Sequence, residues 1–293
     1  MKKRMSPIAA FPEKACPYAR ALAARSRKFA LQVESRGESP YDDGYPADPF
    51  GELRSGTGVK GLVQRFPDRV LVMAAGQCFV NCRHCTRRGI LGNGPVVEGA
   101  EALSRCVKYV RSHPEVRDVL VSGGDPLTLP DDGVMRFVDA FAALDQVEMV
   151  RLCTRAPCVN PARITNALAA RLAKSRKVWV NTQFNCADEV TPEAVAAAAR
   201  LVDRGIPVSC QTVLLKGVND TPQGMLKLLR ALSAARIRPY YVFMCDPVAG
   251  IDRFRVPVKK AREIEKYCAC RIGGLSLPRF VCDTPGARRK EPI

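Results

Sequence analysis

Hydrophobic residues follow two alternating patterns from position 69 to the end of the chain. Short runs rich in Val, Leu and other strand-forming residues predict β-strands. Longer segments, whose apolar residues recur at helical spacing, lie between them. The strands are predicted at 69–75, 118–122, 148–154, 178–182, 207–215, 239–244 and 280–283.

The intervening segments carry helix signals of their own. Thr191 and Thr221 each precede a proline, an arrangement typical of a helix N-cap followed by proline at the first helical position. Gly205 is placed to end the first of these two helices. In another segment the spacing i, i+3, i+4, i+7 is formed by Val134, Phe137, Val138 and Phe141.

Alternation of strand and helix predicts an α/β fold with a parallel sheet and helical crossovers. Six such units suit a partial (β/α)6 barrel of the TIM type, and an open doubly wound sheet is the alternative. In both architectures the functional loops follow the C-terminal ends of the strands. The loops after the predicted strands are therefore where chemistry is expected.

Residues 1–60 have a different texture, rich in charge, proline and glycine. A basic helix is predicted over about 18–34, and an extended arm or loop over 39–61. We therefore divide the chain into an N-terminal extension and arm at 1–60 and a barrel with its C-terminal segment at 61–293.

Charge and hydropathy limit the possible partners and compartment. Lys and Arg total 46 against 29 Asp and Glu, a formal net charge of +17, which favours acidic or phosphate-bearing partners. Only 6% of residues are aromatic and no basic stretch is interleaved with stacking rings, which argues against nucleic acid. No apolar run suits a signal peptide or a membrane span. We expect a cytoplasmic protein.

The chain has 13 cysteines. An odd number does not suit a framework in which every cysteine is paired in a disulfide. Most stand alone inside apolar runs, where cysteine behaves as a small hydrophobic residue. Core packing is the expectation for Cys16, Cys106, Cys153, Cys158, Cys210, Cys245 and Cys282.

One cysteine group has a different character because it follows the first predicted strand of the barrel. Cys78, Cys82 and Cys85 have the spacing C-x3-C-x2-C. Three thiolates suit three irons of a 4Fe–4S cubane and leave one iron open to a small molecule. Structural zinc is the alternative, and it requires a fourth ligand, such as His84 or the pair Cys268 and Cys270.

The next strand ends in SGGDPL at 122–127. Gly123 and Gly124 allow the backbone to come close to a ligand, and Asp125 can accept a hydrogen bond from an ammonium group. The cysteine spacing resembles the motif of radical S-adenosylmethionine enzymes, and in such an enzyme that ammonium would belong to the methionyl part of S-adenosylmethionine.

In sequence, the chain resembles the lysine 2,3-aminomutase family of radical S-adenosylmethionine (radical SAM) enzymes over about residues 40–293. The shared motifs are PDRVL at 67–71, CRHCTRR at 82–88, SGGDPL at 122–127, TRAP at 154–157, GVND at 217–220, RPYYVFMCD at 238–246 and DTPGARRK at 283–290. The resemblance implies a partial barrel, a 4Fe–4S cluster, S-adenosylmethionine, pyridoxal 5′-phosphate (PLP) and a shift of an amino group to the adjacent carbon.

Cofactor residues follow from the same resemblance. Lys290 matches the lysine that binds PLP, and it is the expected catalytic residue. Arg65 and Arg69 match the pair that binds the cofactor phosphate, for which guanidinium forks are suited. The stretch 287–289, Ala-Arg-Arg, replaces the family's glycine run before the PLP lysine.

Substrate residues are also implied. Arg87 matches the residue that holds the substrate carboxylate, and Asp246 and Asp283 match the carboxylates that hold the side-chain amine of lysine. Two acids at the far end of a pocket select a cation by charge complementarity.

The leading hypothesis is a PLP-dependent aminomutase that converts L-lysine, or a close basic amino acid, into the β-amino acid. An external electron donor of flavodoxin or ferredoxin type is then required. A homo-oligomer is compatible with the sequence. One alternative is a relative that modifies a lysine-derived group on a protein or RNA partner. Another is an iron–sulfur protein of the same fold without PLP.

Overall fold

Within the described part of the chain, nine strands form one sheet whose order follows the sequence from β1 to β9. The computed structural model describes residues 11–35, 44–54, 56–89, 91–92 and 94–293. The strands are β1 Leu62–Phe66, β2 Arg69–Ala75, β3 Asp118–Gly123, β4 Met149–Cys153, β5 Val178–Thr182, β6 Val208–Leu214, β7 Arg238–Met244, β8 Arg279–Cys282 and β9 Glu291–Pro292. Strands β2 to β8 are parallel, whereas β1 and β9 pair antiparallel at the two edges.

Helices connect the parallel strands and flank the N-terminal segment. They are α1 Pro17–Arg25, α2 Arg27–Val33, α3 Gly99–Arg111, α4 Asp131–Ala142, α5 Ala156–Val159, α6 Asn166–Ala173, α7 Pro192–Val202, α8 Pro222–Ala234 and α9 Val258–Ala269. Six helical crossovers therefore join seven parallel strands in sequential order. Sequential order is the barrel pattern, because a doubly wound sheet reverses direction at a switch point. The predicted partial (β/α)6 barrel is confirmed.

Local capping signals are confirmed as well. Thr191 accepts a hydrogen bond from the backbone N–H of Ala194 at the start of α7, and Thr221 accepts one from Gly224 at the start of α8. Gly205 follows α7 with φ +77°, a left-handed conformation that favours glycine.

Side chains along the strands separate into two faces. Val119, Val121, Val150 and Leu152 are buried in the main core, which also includes the apolar face of α4. The alternate residues, Leu120, Ser122 and Arg151 among them, line cavities inside the barrel. The period of two along a strand thus divides structural residues from those that can meet a ligand.

The outermost strands were missed by the sequence prediction, yet they bring the two edges of the sheet together. Strand β1 turns through Pro67 and Asp68 into β2. Its Arg65 donates two hydrogen bonds, of 2.9 and 3.2 Å, to Asp283 just after β8. An ion pair between residues 218 positions apart therefore links the two edges.

The single N-terminal helix predicted over 18–34 is wrong in one respect, because Ser26 divides it. Ser26 adopts an extended backbone conformation, caps α2 through the N–H of Phe29, and donates to Asp188 at 2.7 Å. Of the predicted arm at 39–61, residues 39–43 and 55 lie outside the described part of the chain. The remainder is irregular apart from one 3-10 turn, Glu52–Arg54.

The segment before α1 is bound to the cysteine loop. Ala15 pairs with Val80 in an isolated bridge, the N–H of Cys16 donates to the carbonyl of Phe79, and the N–H of Asn81 donates to that of Lys14. The division at residue 60 stays a prediction. In the described ranges no helix is both long and apolar enough to cross a membrane, and the cytoplasmic location stays a prediction too.

Gly123 and Gly124 have a role that the sequence interpretation did not foresee. A Cβ atom on Gly123 would lie 2.4 Å from the carbonyl oxygen of Ala75, and one on Gly124 would lie 2.3 Å from that of Gln77. The N–H of Gly124 donates to Ala75 at 2.6 Å. Both glycines therefore allow a close approach of the chain to itself, at the base of the cysteine loop.

We expect Gly124→Ala to lower the free energy of unfolding of the metal-free protein by about 1–3 kcal/mol, because the backbone facing it cannot move aside cheaply. Denaturant unfolding measures this. Gly273→Ala is the matched control, since a Cβ atom there meets nothing within 4 Å. Equal stability of the two variants would contradict the prediction.

Candidate active site

Two cavities inside the barrel share a wall; one lies at the C-terminal ends of the strands, and the other reaches back to Arg69 at the start of β2. The first has a volume of about 330 Å³ and contains the three motif cysteines; we call it the cysteine cavity. The second has a volume of about 290 Å³ and contains Lys290; we call it the lysine cavity. The shared wall consists of Leu71, Thr86, Arg87, Leu120, Gln211, Val213 and Phe243.

Cys78, Cys82 and Cys85 all line the cysteine cavity, as the motif predicts. Burial raises the pKa of Cys78 and raises that of Cys85 to about 11, so their thiolates need a neighbouring positive charge such as bound metal. Among the described residues, no three His, Cys, Asp or Glu side chains converge on a point where one metal ion could be held. A cubane does not need such convergence, because each thiolate binds a different iron.

Four buried polar atoms in the wall of this cavity have no hydrogen-bond partner among the described residues. They are Nδ1 of His84, Nε of Arg155, Nδ2 of Asn181 and Oγ1 of Thr182. Buried polar groups are normally hydrogen-bonded, and unpaired ones are costly. Their concentration around one cavity fits a polar ligand there, and S-adenosylmethionine is of that kind.

His84 is held in its neutral form. Burial, with help from the nearby charges of Arg155 and Arg88, lowers its pKa well below the usual value. The side-chain amides of Gln183 and Asn185 lie 3.0 and 3.3 Å from Nε2 and donate to it, which places the ring proton on the unpartnered Nδ1. His84 can therefore offer an N–H but does not accept a proton readily.

Asp125 also lines the cysteine cavity, and most of its bonding capacity is used to brace the loop after β4. Its Oδ1 accepts from Thr154 at 2.7 Å and from the N–H of Leu127, and its Oδ2 accepts from the N–H of Arg155 at 2.8 Å. Burial raises its pKa despite these bonds. Oδ2 retains one free lone pair, and the predicted contact with an ammonium group stays a prediction.

In the lysine cavity, Lys290 and Arg65 meet on one carboxylate. Nζ of Lys290 donates a hydrogen bond to Oδ2 of Asp283. The guanidinium of Arg65 donates one hydrogen bond to each oxygen of the same carboxylate. Burial lowers the pKa of Lys290 against the opposing attraction of Asp283. Burial alone would raise the pKa of Asp283, but the hydrogen bonds from Arg65 and Lys290 hold it below its usual value. The sequence did not foresee that Asp283 pairs with residues of its own chain.

Asp246 has a different environment in the same cavity. Burial, followed by the repulsion of Asp283, raises its pKa to about 7. No hydrogen bond to its carboxylate occurs within the described part of the chain. A buried carboxylate in this condition is stabilised by a cationic ligand.

Arg87 lies in the shared wall and is already engaged. It forms a bidentate ion pair with Glu52, through Nε at 2.6 Å and Nη2 at 2.8 Å, and its Nη1 donates to Ser122 and to the carbonyl of Gly123. A substrate carboxylate would have to replace Glu52 on that edge, so the predicted role of Arg87 requires an exchange of partners. Sequence reasoning missed Glu52, which lies in the N-terminal arm.

Arg69 lines the lysine cavity, as its predicted role requires, but pairs with the adjacent Asp68 at an exposed position. Arg151 lines the same cavity, and the sequence does not single it out, because one charged residue inside a buried strand gives no separate signal. It pairs with Asp118. Cys153, interpreted as a core residue, instead lines the cysteine cavity.

Comparison with known proteins agrees with this geometry. Residues 74–229 match the model of the radical SAM superfamily. The L-lysine 2,3-aminomutase of Fusobacterium nucleatum is 41% identical over 246 residues, covering 84% of this chain and 58% of that protein.

The chain belongs to the lysine 2,3-aminomutase family of radical SAM enzymes.

Another relative extends the range of substrates associated with these sequences. The glutamate 2,3-aminomutase of Clostridioides difficile is 34% identical over 253 residues, covering 86% of this chain and 60% of that protein. The chain therefore spans about three fifths of the length of these two relatives. Among solved structures, a radical SAM methyltransferase from Sphaerobacter thermophilus has a TM-score of 0.56 at 20% identity, covering 77% of this chain and 69% of that one. This last likeness concerns the fold alone.

Membership of the lysine 2,3-aminomutase family implies a 4Fe–4S cluster and S-adenosylmethionine. The residues present fit both groups. Three thiols reach one cavity, two of them require a positive charge to ionise, and unpartnered donors surround them. Cys78, Cys82 and Cys85 would hold the cluster.

Replacing Cys78, Cys82 and Cys85 together by alanine should abolish iron binding. Among the described residues that line this cavity, the variant would retain one thiol, that of Cys153, which cannot hold a cluster alone. Iron content after anaerobic reconstitution measures it. Cys106→Ala, on the buried face of α3, is the control and should load iron normally. Iron retained by the triple variant would refute the assignment.

The raised pKa of Asp246 predicts a pH-dependent stability. The folded protein keeps this proton up to about pH 7, whereas the unfolded chain loses it near the ordinary value of 3.8, so the residue destabilises the fold increasingly as pH rises between these values. Asp246→Asn should therefore stabilise the protein more at pH 8 than at pH 5, by on the order of 2 kcal/mol.

Denaturant unfolding of the metal-free protein at the two pH values measures this difference. Asp139→Asn, on the exposed side of α4, controls for the loss of one carboxylate. A gain for Asp246→Asn that is the same at both pH values would contradict the prediction.

Proposed function

We propose that this protein is a PLP-dependent aminomutase that moves the amino group of L-lysine, or of a close basic amino acid, to the adjacent carbon. The arrangement of the two cavities carries the proposal. Lys290, two arginines suited to phosphate and two carboxylates lie in a cavity that shares a wall with the three cysteines. A radical formed on one side of that wall would meet the amino acid bound on the other.

PLP is supported by the chemistry of the lysine cavity. Arg65 and Arg69 are the residues that would hold its phosphate, and the ring of Phe66 lies beneath both guanidinium groups. Lys290 lies close to the same ring, with Nζ 5.2 Å from its centroid. When bound, PLP would supply a conjugated system able to stabilise an unpaired electron.

The residues that line the lysine cavity would then each have a role in the reaction. The lowered pKa of Lys290 makes its amine easier to deprotonate, and Asp283 fixes the position of Nζ. Arg87 would exchange Glu52 for the carboxylate of the substrate. Asp246, ionised above about pH 7, would hold the far amine.

Asp246 also favours a cationic substrate over an anionic one. A second carboxylate brought near Asp246 and Asp283 would be repelled, whereas an ammonium group would be attracted. The relative named as a glutamate 2,3-aminomutase makes this choice a matter for experiment. As a radical SAM protein the enzyme would also need an external one-electron donor.

Binding of PLP is tested by spectroscopy. Anaerobically purified protein incubated with PLP should show a PLP–lysine absorbance that Lys290→Ala lacks, because no amine remains at that position. Lys227→Ala, on the exposed side of α8, is the control and should keep the absorbance. An unchanged spectrum in the Lys290 variant would remove PLP from the proposal.

Substrate choice is tested with reconstituted protein and a panel of amino acids, with PLP present and absent. We expect a β-amino product from L-lysine, and a loss of at least tenfold in kcat/KM for lysine in Asp246→Asn, equivalent to about 1.4 kcal/mol. Asp139→Asn should match the unmodified protein. Activity on glutamate but not on lysine would overturn the assignment of Asp246 and Asp283.

A further inference from the structure

Arg155, in the loop after β4, connects a cysteine of the cluster motif to a buried acid. Its Nη1 donates to Sγ of Cys82 at 2.9 Å. Its Nη2 donates to Oε1 of Gln32 at 2.5 Å and to Oε2 of Glu189 at 3.1 Å. Gln32 and Glu189 are fully buried and Arg155 is 7% exposed, so the arrangement is shielded from water.

Glu189 is held firmly in this position. Its Oε1 accepts from Nε2 of Gln32 at 2.6 Å and from the N–H of Cys186 at 3.0 Å, and the N–H of Asn185 lies 3.2 Å from both of its oxygens. These donors satisfy the buried carboxylate and fix its position. Glu189 pairs with Arg155 at 3.1 Å, so the guanidinium is directed at Cys82 by an acid held in place behind it.

Arg155 keeps its positive charge, because a guanidinium group is always protonated in proteins. It forms an ion pair with Glu189 at 3.1 Å. Its Nε is buried without a partner among the described residues. A permanent cation with one N–H on the sulfur of Cys82, and a second N–H without a partner in the described part of the chain, is a strong electrostatic feature at a site shielded from water.

Such a contact acts on the cluster through its charge. One-electron reduction adds negative charge to the iron centre and its thiolates. A charge-assisted hydrogen bond to a ligand sulfur stabilises the more negative form, and hydrogen bonds to the sulfurs are among the factors that set iron–sulfur potentials. The carboxylate of Glu189 acts in the opposite direction by balancing the guanidinium.

An arginine with only a structural task has a different environment in this chain. Arg163 donates to the backbone carbonyls of Leu127 and Leu129 at 2.8 and 2.9 Å and pairs with Asp131. It does not line the cysteine cavity. Arg163 thus provides a matched comparison for Arg155.

We propose that Arg155 is a positioning residue that raises the reduction potential of the cluster through its hydrogen bond to Cys82, and that Glu189 sets the size of this effect. The network thereby makes the cluster easier to reduce by an external donor. The inference requires the family's cluster but neither PLP nor an amino-acid substrate, so it stands or falls separately from the proposed function.

The test is a redox titration of the reconstituted protein with dithionite and mediators, followed by the electron paramagnetic resonance signal of the reduced cluster, with no PLP or amino acid present. Arg155→Met should shift the reduction equilibrium at least tenfold toward the oxidised form, which is about 59 mV for one electron. Glu189→Gln should shift the potential upward, because the guanidinium charge is then unbalanced.

Arg163→Met should leave the potential unchanged. Iron content of every variant shows whether the cluster is intact. If Arg155→Met fails to hold iron, Arg155→Lys serves in its place. A lysine cannot contact Cys82 while it also keeps the hydrogen bonds to Gln32 and Glu189, so the reduction potential of this variant should also fall. Potentials equal to that of the unmodified protein in an iron-loaded Arg155 variant and in Glu189→Gln would overturn the proposal.

Discussion

The buried ion pair between Arg155 and Glu189 is the interaction on which the geometry of the cysteine cavity depends. It joins the loop after β4 to the loop after β5, and Gln32 joins both to the N-terminal helix α2. Breaking such a pair on one side leaves a buried charge uncompensated, at a cost of about 3–5 kcal/mol. The position of Cys82 is thus coupled to residues that no local motif contains.

A second ion pair, between Arg65 and Asp283, stabilises the geometry of the lysine cavity. Arg65 and Asp283 belong to opposite edges of the sheet, so their contact brings β1 and the chain after β8 together around Lys290. The residues implied in cofactor binding are therefore also the residues that draw the edges of the partial barrel toward each other. A substitution of Arg65 would therefore alter both the contact between the edges of the sheet and the lining of the lysine cavity.

Local patterns were sufficient for much of this architecture. Buried parallel strands are continuous apolar runs, which is why β2 and β5 match their predicted bounds, and the cysteine spacing is a local feature. Strand β1 was missed because Gln64 and Arg65 interrupt a run of only five residues. Glu52 and Gln32 were missed for a different reason, since each is buried by partners that are remote in sequence and leave no periodic signal nearby.

The distances along the chain within the buried network bear on how the protein is made. Gln32 precedes Arg155 by 123 residues and Glu189 by 157. Synthesis proceeds from the N-terminus, so α2 and the cysteine loop leave the ribosome long before their partners exist. Contacts of such long range also form slowly. Iron delivered to a growing chain would meet thiols that lack their guanidinium neighbour, and assembly of the metal centre should follow, not accompany, translation of the segment that ends at Glu189.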